Sequence, residues 1–503
     1  MSDAEPAAAD IAAATEAEAE PGTTASHDIA MPEGMRAALT SNWDPAPPMP
    51  HRSRPDAAPY AAARRAALSA ALPGRLIVVP AGTLKVRAND TEYPFRAAST
   101  FAWLTAETAA EAVLAMYPDG GGHRSVLYVL EYVGPGELGY FTDRLHGALW
   151  VGNVPTPAEV GQRLGLEVRG RDALAGDLER YRDDEAAVLT GVDPAVDALL
   201  PRGTGADLER IADELRLTKD EWEIARLQEA CDATTRGFED VVRELPMVLS
   251  RGGRRGERWL EGTFWRRARQ EGNDVGYGSI VGAGHHGTVL HWTHNDGDIA
   301  AGQLLLADMG IETDALHTAD VTRTFPVTGQ WTPAQRRVYE AVREAQAAGI
   351  AEVKAGADFL AAHRAATWVL ADHLHAWGIL PVTAEVSCST DLERPGAGLH
   401  RRYTLHGVSH MLGLDVHDCA AARDEVYREG PLGPGYVLTV EPGLYFQLND
   451  RSVPADFRGL AVRIEDDILV TDGDPVNLSQ ALPRDPDEIT AWMADVQATP
   501  ASI

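Results

Sequence analysis

The chain has 503 residues, 45% of them hydrophobic, and its 45 basic and 75 acidic side chains give a formal net charge of -30. A chain of this size and composition can bury a large core, and its negative field argues against a nucleic acid or an anionic membrane as a partner. The acidity suits a site that holds cations with carboxylates, although it is equally compatible with a role in solubility alone.

Cysteine usage and the N-terminal composition favour a cytoplasmic protein. Cys231, Cys388 and Cys419 are odd in number and far apart, which argues against a disulfide framework or a thiolate zinc site and favours a reducing compartment. The sequence has no run of about 18 apolar residues, so we expect no transmembrane helix. Residues 1–35 contain no Lys or Arg, so we also expect no signal peptide.

The N-terminal part is predicted to contain a tail and an α/β domain. Residues 1–50 are rich in Ala, Glu, Asp and Pro, which predicts a disordered acidic tail. In residues 51–215, the strand-like runs RLIVVPAG (75–82) and SVLYVLEYVG (125–134) flank TAAEAVLAMYPDGG (108–121). We interpret the last segment as a helix that stops at its Pro and Gly, and the alternation of elements predicts a layered α/β fold.

A second domain is predicted over residues 216–485, followed by a C-terminal tail over 486–503. Thr218 and Glu221 fit the T-x-x-E pattern of a capping box. Side chains behind them recur at spacings of three and four, which places them on one face of a long helix. These side chains are Ile224, Leu227, Cys231, Thr234, Phe238 and Val241.

Four later segments have strand patterns, and each carries an acidic residue. The segments are QLLLAD (303–308), DVTRTFPV (320–327), YVLTVEPG (436–443) and LAVRIEDDILVT (460–471), which contain Asp308, Asp320, Glu441 and Glu465. Because alternate side chains of a strand point to one face, four such strands can gather the carboxylates in one pocket. Their mutual repulsion and desolvation would be unfavourable without divalent cations.

His410, within the motif HGVSHMLGLDVHD, is a fifth candidate ligand. Four carboxylates and one imidazole form an oxygen-rich set that suits Mn, and five ligands suggest two cations. Single residues also have simpler interpretations. An Asp at a strand end is usually a turn residue or a helix cap, Glu441 can pair with Arg463, and the doublet Asp466-Asp467 is predicted to be a solvated edge. The joint occurrence of the candidates within larger motifs favours the metal site.

Those motifs resemble the aminopeptidase P family, in the group that also includes prolidase, creatinase and methionine aminopeptidase. The resemblance spans about residues 216–480, with a weaker match over 92–106 (EYPFRAASTFAWLTA). The matching stretches are SIVGAGHHGTVLHWTHND (279–296), LLLADMG (304–310), ADVTRTFPVTGQWTPAQRRVYEAV (319–342), LHGVSHMLGLDVHD (405–418), VLTVEPGLY (437–445) and VRIEDDILVT (462–471). The resemblance implies an α/β (α+β) protein in which a pita-bread catalytic domain follows a smaller α/β N-terminal domain.

The resemblance also implies a role for each site residue. The metal ligands would be Asp308, Asp320, His410, Glu441 and Glu465, the catalytic residues Glu441, His291 and His417, and the substrate-binding residues His406, Arg463 and Tyr445. The cofactors would be two divalent cations, Mn in the first place and Co or Zn as alternatives. The spacing from Asp308 to Asp320 is one residue longer than the usual family spacing. The extra residue falls in the turn IETDALHTA, where Asp314 is a minor alternative ligand.

The implied activity is that of an Xaa-Pro aminopeptidase, which releases the N-terminal residue from peptides with proline at position two, in a homodimer or homotetramer. Two cations that share a water would lower its pKa, and the resulting hydroxide would attack the scissile carbonyl while Glu441 passes the proton to the leaving nitrogen. Three alternatives remain open. They are a prolidase restricted to Xaa-Pro dipeptides, a metal-free creatinase-like hydrolase, and a non-catalytic binding module on the same fold.

Three other motifs do not support a different chemistry. GAGHHG (282–287) satisfies G-x-G-x-x-G, but strand-like TVLHWT (288–293) follows it in place of an amphipathic helix, which argues against a dinucleotide site. His406 and His410 have the spacing of a zincin pair, yet Gly407 stands where the Glu is needed. The G-x-S-x-G pattern of a serine nucleophile is absent from the sequence.

Overall fold

The chain is organised around two main regions that meet near residue 217. The computed structural model describes residues 31–44, 55–89 and 91–500. The helices before the junction are α1 (Glu33–Thr40), α2 (Ala58–Ala71), α3 (Ser99–Thr105), α4 (Gly139–Thr142), α5 (Ala148–Val151), α6 (Pro157–Leu164), α7 (Ala173–Leu178), α8 (Pro194–Leu199) and α9 (Ala206–Arg216). The strands are β1 (Ile77–Pro80), β2 (Val86–Ala88), β3 (Thr91–Glu92), β4 (Val113–Asp119), β5 (Gly122–Val129), β6 (Glu167–Gly170) and β7 (Ala187–Val188).

A five-stranded sheet lies at the centre of this N-terminal region, with the order β6-β5-β4-β1-β7 among the described residues. β4 pairs antiparallel with β1 and β5, while β7 and β6 form parallel edges on β1 and β5. Both faces of the sheet are covered, so that Ile77 and Val79 pack into one apolar cluster and Val78 into another. Burial on both faces explains the unbroken apolar run of β1.

The prediction of a helix over 108–121 is wrong, because Val113–Asp119 forms the central strand β4. Its side chains alternate between the two apolar clusters, with Leu114 in one and Ala115 in the other. A short apolar run of this kind fits a helix or a strand by composition alone. Pairing with strands on both sides decides for the strand.

The predicted N-terminal tail lies partly outside the described residues, namely over 1–30 and 45–50. Within the described part, Glu33–Thr40 forms helix α1. Trp43 packs against Tyr140, with ring centroids 5.7 Å apart. The prediction of disorder is therefore wrong for this stretch, which contacts the N-terminal region.

The C-terminal region combines long helices with short strands. Its helices are α10 (Glu221–Ser250), α11 (Gly256–Glu271), α12 (Pro333–Ala351), α13 (Ala361–Ala376), α14 (Ala384–Ser387) and α15 (Pro486–Ala498). Its strands are β8 (Asp274–Val275), β9 (Ile280–Ala283), β10 (Leu304–Met309), β11 (Ile311–Glu312), β12 (Val321–Pro326), β13 (Val437–Val440), β14 (Gly443–Tyr445), β15 (Ala461–Arg463), β16 (Asp466–Leu469) and β17 (Val476–Asn477). Within the described residues, no helix is both long and apolar enough to cross a membrane.

The N-cap of helix α10 lies two residues later than predicted. The Asp220 side chain accepts a hydrogen bond from the backbone N–H of Glu223, and the Glu223 side chain accepts from the backbone N–H of Asp220. The prediction of Thr218 and Glu221 as the capping box is therefore wrong. An Asp at the N-cap adds a favourable interaction with the helix dipole that Thr lacks. The predicted face is confirmed, since Leu227, Cys231, Thr234, Phe238 and Val241 are buried and Ile224 is half-buried.

Small antiparallel sheets lie at the centre of the C-terminal region. Among the described strands, their orders are β12-β10-β9, β13-β16-β17, β14-β15 and β11-β8. The predicted strand over 460–471 is divided in two, because β15 ends at Arg463 and β16 begins at Asp466. The break leaves Glu465 between two strands that belong to different sheets.

The predicted C-terminal tail is a helix over most of its length. Asp485 caps α15, which buries Ile489, Met493 and Val496 in the main core, where it contacts α10 and α12. The prediction of a separate tail is therefore wrong for Pro486–Ala498, which forms part of the C-terminal region.

Candidate metal centre and active-site cleft

Strand register brings the first two acids to one face of a sheet. In the antiparallel pair of β10 and β12, Asp308 lies opposite Thr322, and Asp320 precedes Thr322 by two residues. Cross-strand partners share a face, and so do residues two apart on one strand. Asp308, Asp320 and Thr322 therefore point to the same side, and both acids are buried, with 7% and 5% exposure.

Glu441 and Glu465 lie at one end of a second strand pair. The register of β13 with β16 ends where Val440 faces Asp466, so the two glutamates are the next residues at that end. The backbone N–H of Glu465 donates to the carbonyl of Thr322 at 3.1 Å, and Thr322 Oγ1 donates to Glu465 Oε2 at 2.6 Å. These bonds join the second pair to β12 and bring all four acids together.

The backbone of His410 is fixed beside β13. Thr439 N–H donates to the His410 carbonyl at 2.9 Å, and His410 N–H donates to Thr439 Oγ1 at 3.2 Å. The ring nitrogen Nδ1 lies 3.1 Å from the carbonyl oxygen of Met411 and donates to it. The other ring nitrogen, Nε2, then faces the acids and lies 3.4 Å from both Asp320 Oδ2 and Glu441 Oε1.

Three of the five predicted ligands converge closely, since Asp320, His410 and Glu465 each offer a ligand atom within 4.8 Å of the other two. Glu441 adjoins this group through its contact with His410. The fifth, Asp308, lies outside the trio, although it shares the same face. The predicted residues thus meet in one site, with three at its centre and two beside them.

Both oxygens of Asp308 already accept hydrogen bonds. Tyr277 OH donates to Oδ1 at 2.6 Å, and Arg463 Nη2 donates to Oδ2 at 2.6 Å. Arg463 therefore bonds to Asp308, in contrast to the alternative in which it pairs with Glu441. A carboxylate oxygen has two lone pairs, so Asp308 retains the capacity to bind a cation.

The site contains many carboxylates and few cations. Burial raises the pKa of Glu441 to about 7, and burial followed by repulsion from Asp320 raises the pKa of Glu465 well above its usual range. Burial disfavours the charged form of His410, yet Asp320 and Glu441 outweigh burial and raise the pKa of His410 to about 9. Without a metal, retained protons partly neutralise the cluster, a task for which divalent cations are better suited.

A cleft of about 700 Å³ opens over these residues. His291 and His417 line it with exposed side chains. The ring of His417 packs edge-on against His410, with centroids 4.4 Å apart. Both histidines are therefore within reach of a molecule that enters the cleft.

His406, Tyr445 and Arg463 form a hydrogen-bonded chain beside the acids. Arg463 Nη1 donates to Tyr445 OH at 3.0 Å, and this hydroxyl lies 2.8 Å from His406 Nε2. Because a guanidinium only donates, the tyrosine hydrogen is directed to His406 Nε2. His406 Nδ1 then donates to the Gly407 carbonyl at 2.8 Å. Burial lowers the pKa of His406 to about 4, so a neutral ring is held in one tautomer.

Comparisons with known proteins match both regions of the chain. Residues 225–472 match Metallopeptidase family M24, and residues 61–189 match the Aminopeptidase P, N-terminal domain. The chain is 50% identical to Xaa-Pro aminopeptidase 2 of Streptomyces coelicolor over 440 residues, which cover 87% of this chain and 91% of that protein. The chain belongs to the aminopeptidase P family of M24 metallopeptidases.

More distant members of the aminopeptidase P family agree. The chain is 32% identical to the Xaa-Pro aminopeptidase of Escherichia coli over 441 residues, which cover 86% of this chain and 96% of that protein. A solved structure of E. coli aminopeptidase P with the inhibitor Pro-Leu matches with a TM-score of 0.76 and 29% identity, and it covers 88% of this chain and 99% of that one. The expected pita-bread catalytic domain with a preceding α/β domain is thereby confirmed.

The prediction that Asp466 and Asp467 form a solvated edge is wrong, because both have 0% exposure. Asp466 pairs with Arg323 at 2.7 Å. Asp467 Oδ2 accepts from the backbone N–H of Asp320 at 3.1 Å and from the thiol of Cys231 at 3.2 Å. In this member of the aminopeptidase P family, the doublet supports the backbone that carries the predicted ligands.

Asp314 is exposed in its turn and does not line the cleft, so it is not placed to be a ligand. The same turn contains Leu316 with a φ of 63°.

GAGHHG ends β9 and continues into a 3-10 turn over Gly284–Thr288. The strand-like interpretation of TVLHWT is wrong, because residues 288–293 are all described and form no strand.

Three hydroxyl side chains contact the predicted ligands and were not among the predicted site residues. Thr322 bonds to Glu465, and Thr439 lies beside His410 and 3.5 Å from Glu441. Both threonines stand two residues from a predicted ligand on a strand, so period-two alternation is a signal that could have found them. Tyr277 is 31 residues from Asp308 in sequence, and no local pattern marks it.

Proposed function

We propose that this chain is a metal-dependent Xaa-Pro aminopeptidase, which releases the N-terminal residue from peptides with proline at position two. The observation that carries the proposal is the meeting of three buried acids, the half-buried Glu441 and His410 on the floor of one cleft. The relatives compared above are named Xaa-Pro aminopeptidases, and the matched segment covers 91% and 96% of their lengths.

We assign two divalent cations to this site, held by Asp308, Asp320, His410, Glu441 and Glu465. The donor set supports the assignment, because it is rich in oxygen and its acids are too crowded for all of them to be ionised without added positive charge. Such a set suits Mn²⁺, with Co²⁺ or Zn²⁺ as alternatives. When bound, the cations would polarise the scissile carbonyl and lower the pKa of the attacking water.

Glu441 is the group that we assign to proton transfer. Its carboxylate lies 3.4 Å from His410 and 3.5 Å from His406, and it borders the cleft where a peptide would lie. It would accept the proton of the attacking water and return it to the leaving nitrogen. A side chain that serves both steps must remain close to the attacking water and to the leaving nitrogen. The position of Glu441 beside the central trio allows this.

His291 and His417 are assigned to hydrogen bonds with the peptide. Both expose their rings to the cleft, where they would contact the substrate backbone and stabilise charge that develops on it. His406, Tyr445 and Arg463 are assigned to substrate binding. Their hydrogen-bonded chain fixes the ring and hydroxyl orientations before substrate arrives, which lowers the entropic cost of binding.

The domain bounds, assembly and location belong to the same proposal. We place the N-terminal domain at 51–215 and the catalytic domain from 216, extended beyond 485 to include α15. A homodimer or homotetramer is supported by α5, where Trp150 and its two neighbours are about half exposed. Light scattering would test the assembly. A cytoplasmic location is supported by the free state of all three cysteines, and cell fractionation would test it.

The activity is tested with the purified chain, defined metals and a series of peptides. We expect release of the first residue from an Xaa-Pro tripeptide and from longer Xaa-Pro peptides, and little cleavage when alanine replaces the proline. Cleavage of the Xaa-Pro dipeptide alone would favour a prolidase instead.

Metal analysis on the same sample separates the remaining alternatives. Mn, Co or Zn near two per chain, with activity that a chelator abolishes, is the expected result. Activity that persists without metal would indicate a creatinase-like hydrolase, and a chain that binds Xaa-Pro peptides without cleavage would be a binding module.

A further inference from the structure

His291 lies in a segment that has no helix or strand of its own. Residues 289–303 run from the end of the 3-10 turn to the start of β10 without regular structure. Regular backbone hydrogen bonding therefore does not fix the position of this histidine. If its ring is to act on a peptide, other contacts must hold the segment in place.

One buried carboxylate supplies those contacts. Glu257, in the first turn of α11, has 0% exposure, and each of its oxygens accepts two hydrogen bonds. Oε1 accepts from the Ala283 backbone N–H at 2.8 Å and from His286 Nδ1 at 2.8 Å. Oε2 accepts from Trp292 Nε1 at 2.9 Å and from the Gly297 backbone N–H at 2.7 Å.

The four donors lie on both sides of His291 in sequence. Glu257 therefore holds the chain before and after this histidine through a single carboxylate. One of them, Trp292, is the next residue after His291. Its ring stacks on His286, with centroids 4.1 Å apart and planes at 27°. A displacement of Trp292 from Glu257 would therefore move the backbone that carries His291.

Packing around the carboxylate leaves no free room. A Cβ added at Gly297 would lie 2.5 Å from His286 Nδ1 and 2.6 Å from Glu257 Oε2, which is too close for any side chain. One helical turn further along α11, Glu261 accepts a hydrogen bond from Asn295 Nδ2 at 2.9 Å. Asn295 is fully buried and has a φ of 45°, so this bend is also held from α11.

We propose that Glu257 is a positioning residue that holds His291 at the cleft. The carboxylate does not line the cleft, so it acts through the segment that it anchors. The proposal rests on the proposed function in one respect, namely that His291 acts on the bound peptide. A carboxylate that only stabilised the fold would lower stability without a specific link to His291, and that difference can be measured.

The central experiment is a double-mutant cycle with Glu257→Gln and His291→Ala in the metal-loaded, full-length protein. Glutamine has the same shape but replaces one accepting oxygen with a donor, so two of the four bonds lose their acceptor. We expect Glu257→Gln to lower kcat/KM on an Xaa-Pro peptide by about tenfold or more, since a small displacement of a group that acts on the substrate has effects of this size. In the His291→Ala background, the same change should lower kcat/KM by less than about twofold.

The matched control is Glu271→Gln on the last turn of the same helix. Glu271 bonds to Arg236 at 2.8 Å and does not contact the 284–297 segment by any bond described for it. It should lower the thermal midpoint while kcat/KM stays within about twofold of the native value. Trp292→Phe is a second variant, because it removes only the indole donor and keeps an aromatic ring on His286.

Hydrogen–deuterium exchange gives a readout that does not depend on catalysis. Glu257→Gln and Trp292→Phe should raise exchange within residues 284–297 and leave β10 and β12 protected, and Glu271→Gln should not raise exchange there. Unchanged exchange in this segment, or equal losses of kcat/KM with and without His291, would overturn the proposal.

A different result would reject the proposed role of His291 itself. If His291→Ala is as active as the native protein while exchange in 284–297 still rises in Glu257→Gln, then Glu257 anchors the segment but His291 does not act on the peptide. That outcome would overturn the proposal that Glu257 positions a histidine that acts on the peptide. The metal-dependent activity would still be tested separately by the peptide and metal assays.

Discussion

Two groups of acidic side chains in this molecule differ in how their negative charge is balanced. Beside the cleft, Asp418 is 1% exposed and lies between Arg216 and Lys219, with Lys219 Nζ at 2.9 Å. Burial opposes its ionisation, but the two cations outweigh burial and hold its pKa well below the usual range. On the cleft floor, Glu465 is equally buried, its bonded partner is the hydroxyl of Thr322, and its pKa lies well above the usual range.

The difference shows which charges the fold balances with its own side chains. An acid paired with buried cations is a finished structural contact, and removal of one partner leaves a costly unpaired charge. Acids that crowd together with few cations indicate a site where the missing positive charge arrives from outside. The cluster around Asp418 is therefore balanced by its own cations, whereas the acids of the cleft have the charge deficit expected of a cation site.

Asp320→Ala should have the largest effect, because it removes an acid from the centre of the cleft cluster. We expect kcat on an Xaa-Pro peptide to fall about a thousandfold or more, and metal per chain to fall with it. Stability of the metal-free protein should change little, since relief of the repulsion between Asp320 and Glu465 offsets the lost ion pair with His410. The control is Asp314→Ala in the neighbouring turn, which should retain both activity and metal. Native activity in Asp320→Ala would end the assignment of this residue as a ligand.

Lys219→Met tests the paired cluster and should lower the free energy of unfolding by about 3 to 5 kcal/mol. The substitution removes one of the two cations that contact the buried Asp418 carboxylate and leaves Arg216 as the other. Urea denaturation would measure the loss, and metal bound per folded chain should not change. The control is Arg336→Ala, whose exposed pair with Asp487 should contribute little to the free energy of unfolding, because solvent screens the two charges. Equal losses in the two variants would mean that the buried pair of Lys219 and Asp418 contributes no more to stability than an exposed ion pair.

The two clusters should also respond to pH with opposite signs. Without metal, the pKa of Glu441 is raised to about 7 and that of His410 to about 9, so the folded state keeps protons that the unfolded chain loses. Their contribution to stability is present in mild acid and is lost as pH rises through these values. For Asp418, the lowered pKa means a contribution that is present above its unfolded pKa and is lost only in strong acid.

Thermal unfolding of the chelated and metal-loaded protein between pH 5 and pH 9 measures this difference. We expect the midpoint of the chelated protein to fall by several degrees across this range, relative to the loaded protein. The comparison between the two forms removes the contribution of all groups far from the site. Parallel pH profiles would show that the cleft acids do not carry the excess protons.

The acids of the cleft were predictable from sequence because strands have a fixed geometry. Asp308, Asp320, Glu441 and Glu465 stand on or beside strand patterns, and the period of two brings such residues to one face. The ordered motifs then related them to a known family. The same periodicity also contained Thr322 and Thr439, which were overlooked because a threonine on a strand has no distinctive chemistry by itself.

Other features depend on partners that are distant in sequence. The apolar run at 113–119 becomes a strand because β1 and β5 pair with it, and composition alone cannot show that pairing. Asp466 and Asp467 had the composition of a solvated edge, yet both are buried and bonded to distant partners. Asp466 accepts a hydrogen bond from Arg323, 143 residues away, and Asp467 accepts one from the backbone N–H of Asp320, 147 residues away. Long-range contacts of this kind decide whether an acid is exposed, paired or free to bind a cation.

Tyr277→Phe is the mildest test, because it removes one hydroxyl at the edge of the cleft cluster. Tyr277 OH donates to Asp308 Oδ1 at 2.6 Å, and this bond orients the acid that lies outside the central trio. Loss of such a supporting bond typically lowers metal affinity or activity by about 10- to 100-fold, so we expect an effect in that range in the apparent metal affinity.

The matched control is Tyr339→Phe, a buried tyrosine of α12 whose hydroxyl donates to the carbonyl of Arg484 at 3.0 Å, away from the cleft. Tyr339→Phe should lower the free energy of unfolding by about as much as Tyr277→Phe does, without a change in metal affinity. An equal effect of both variants on metal titration would mean that Asp308 needs no orientation by Tyr277, and that its place on β10 and the bond from Arg463 are enough to hold it.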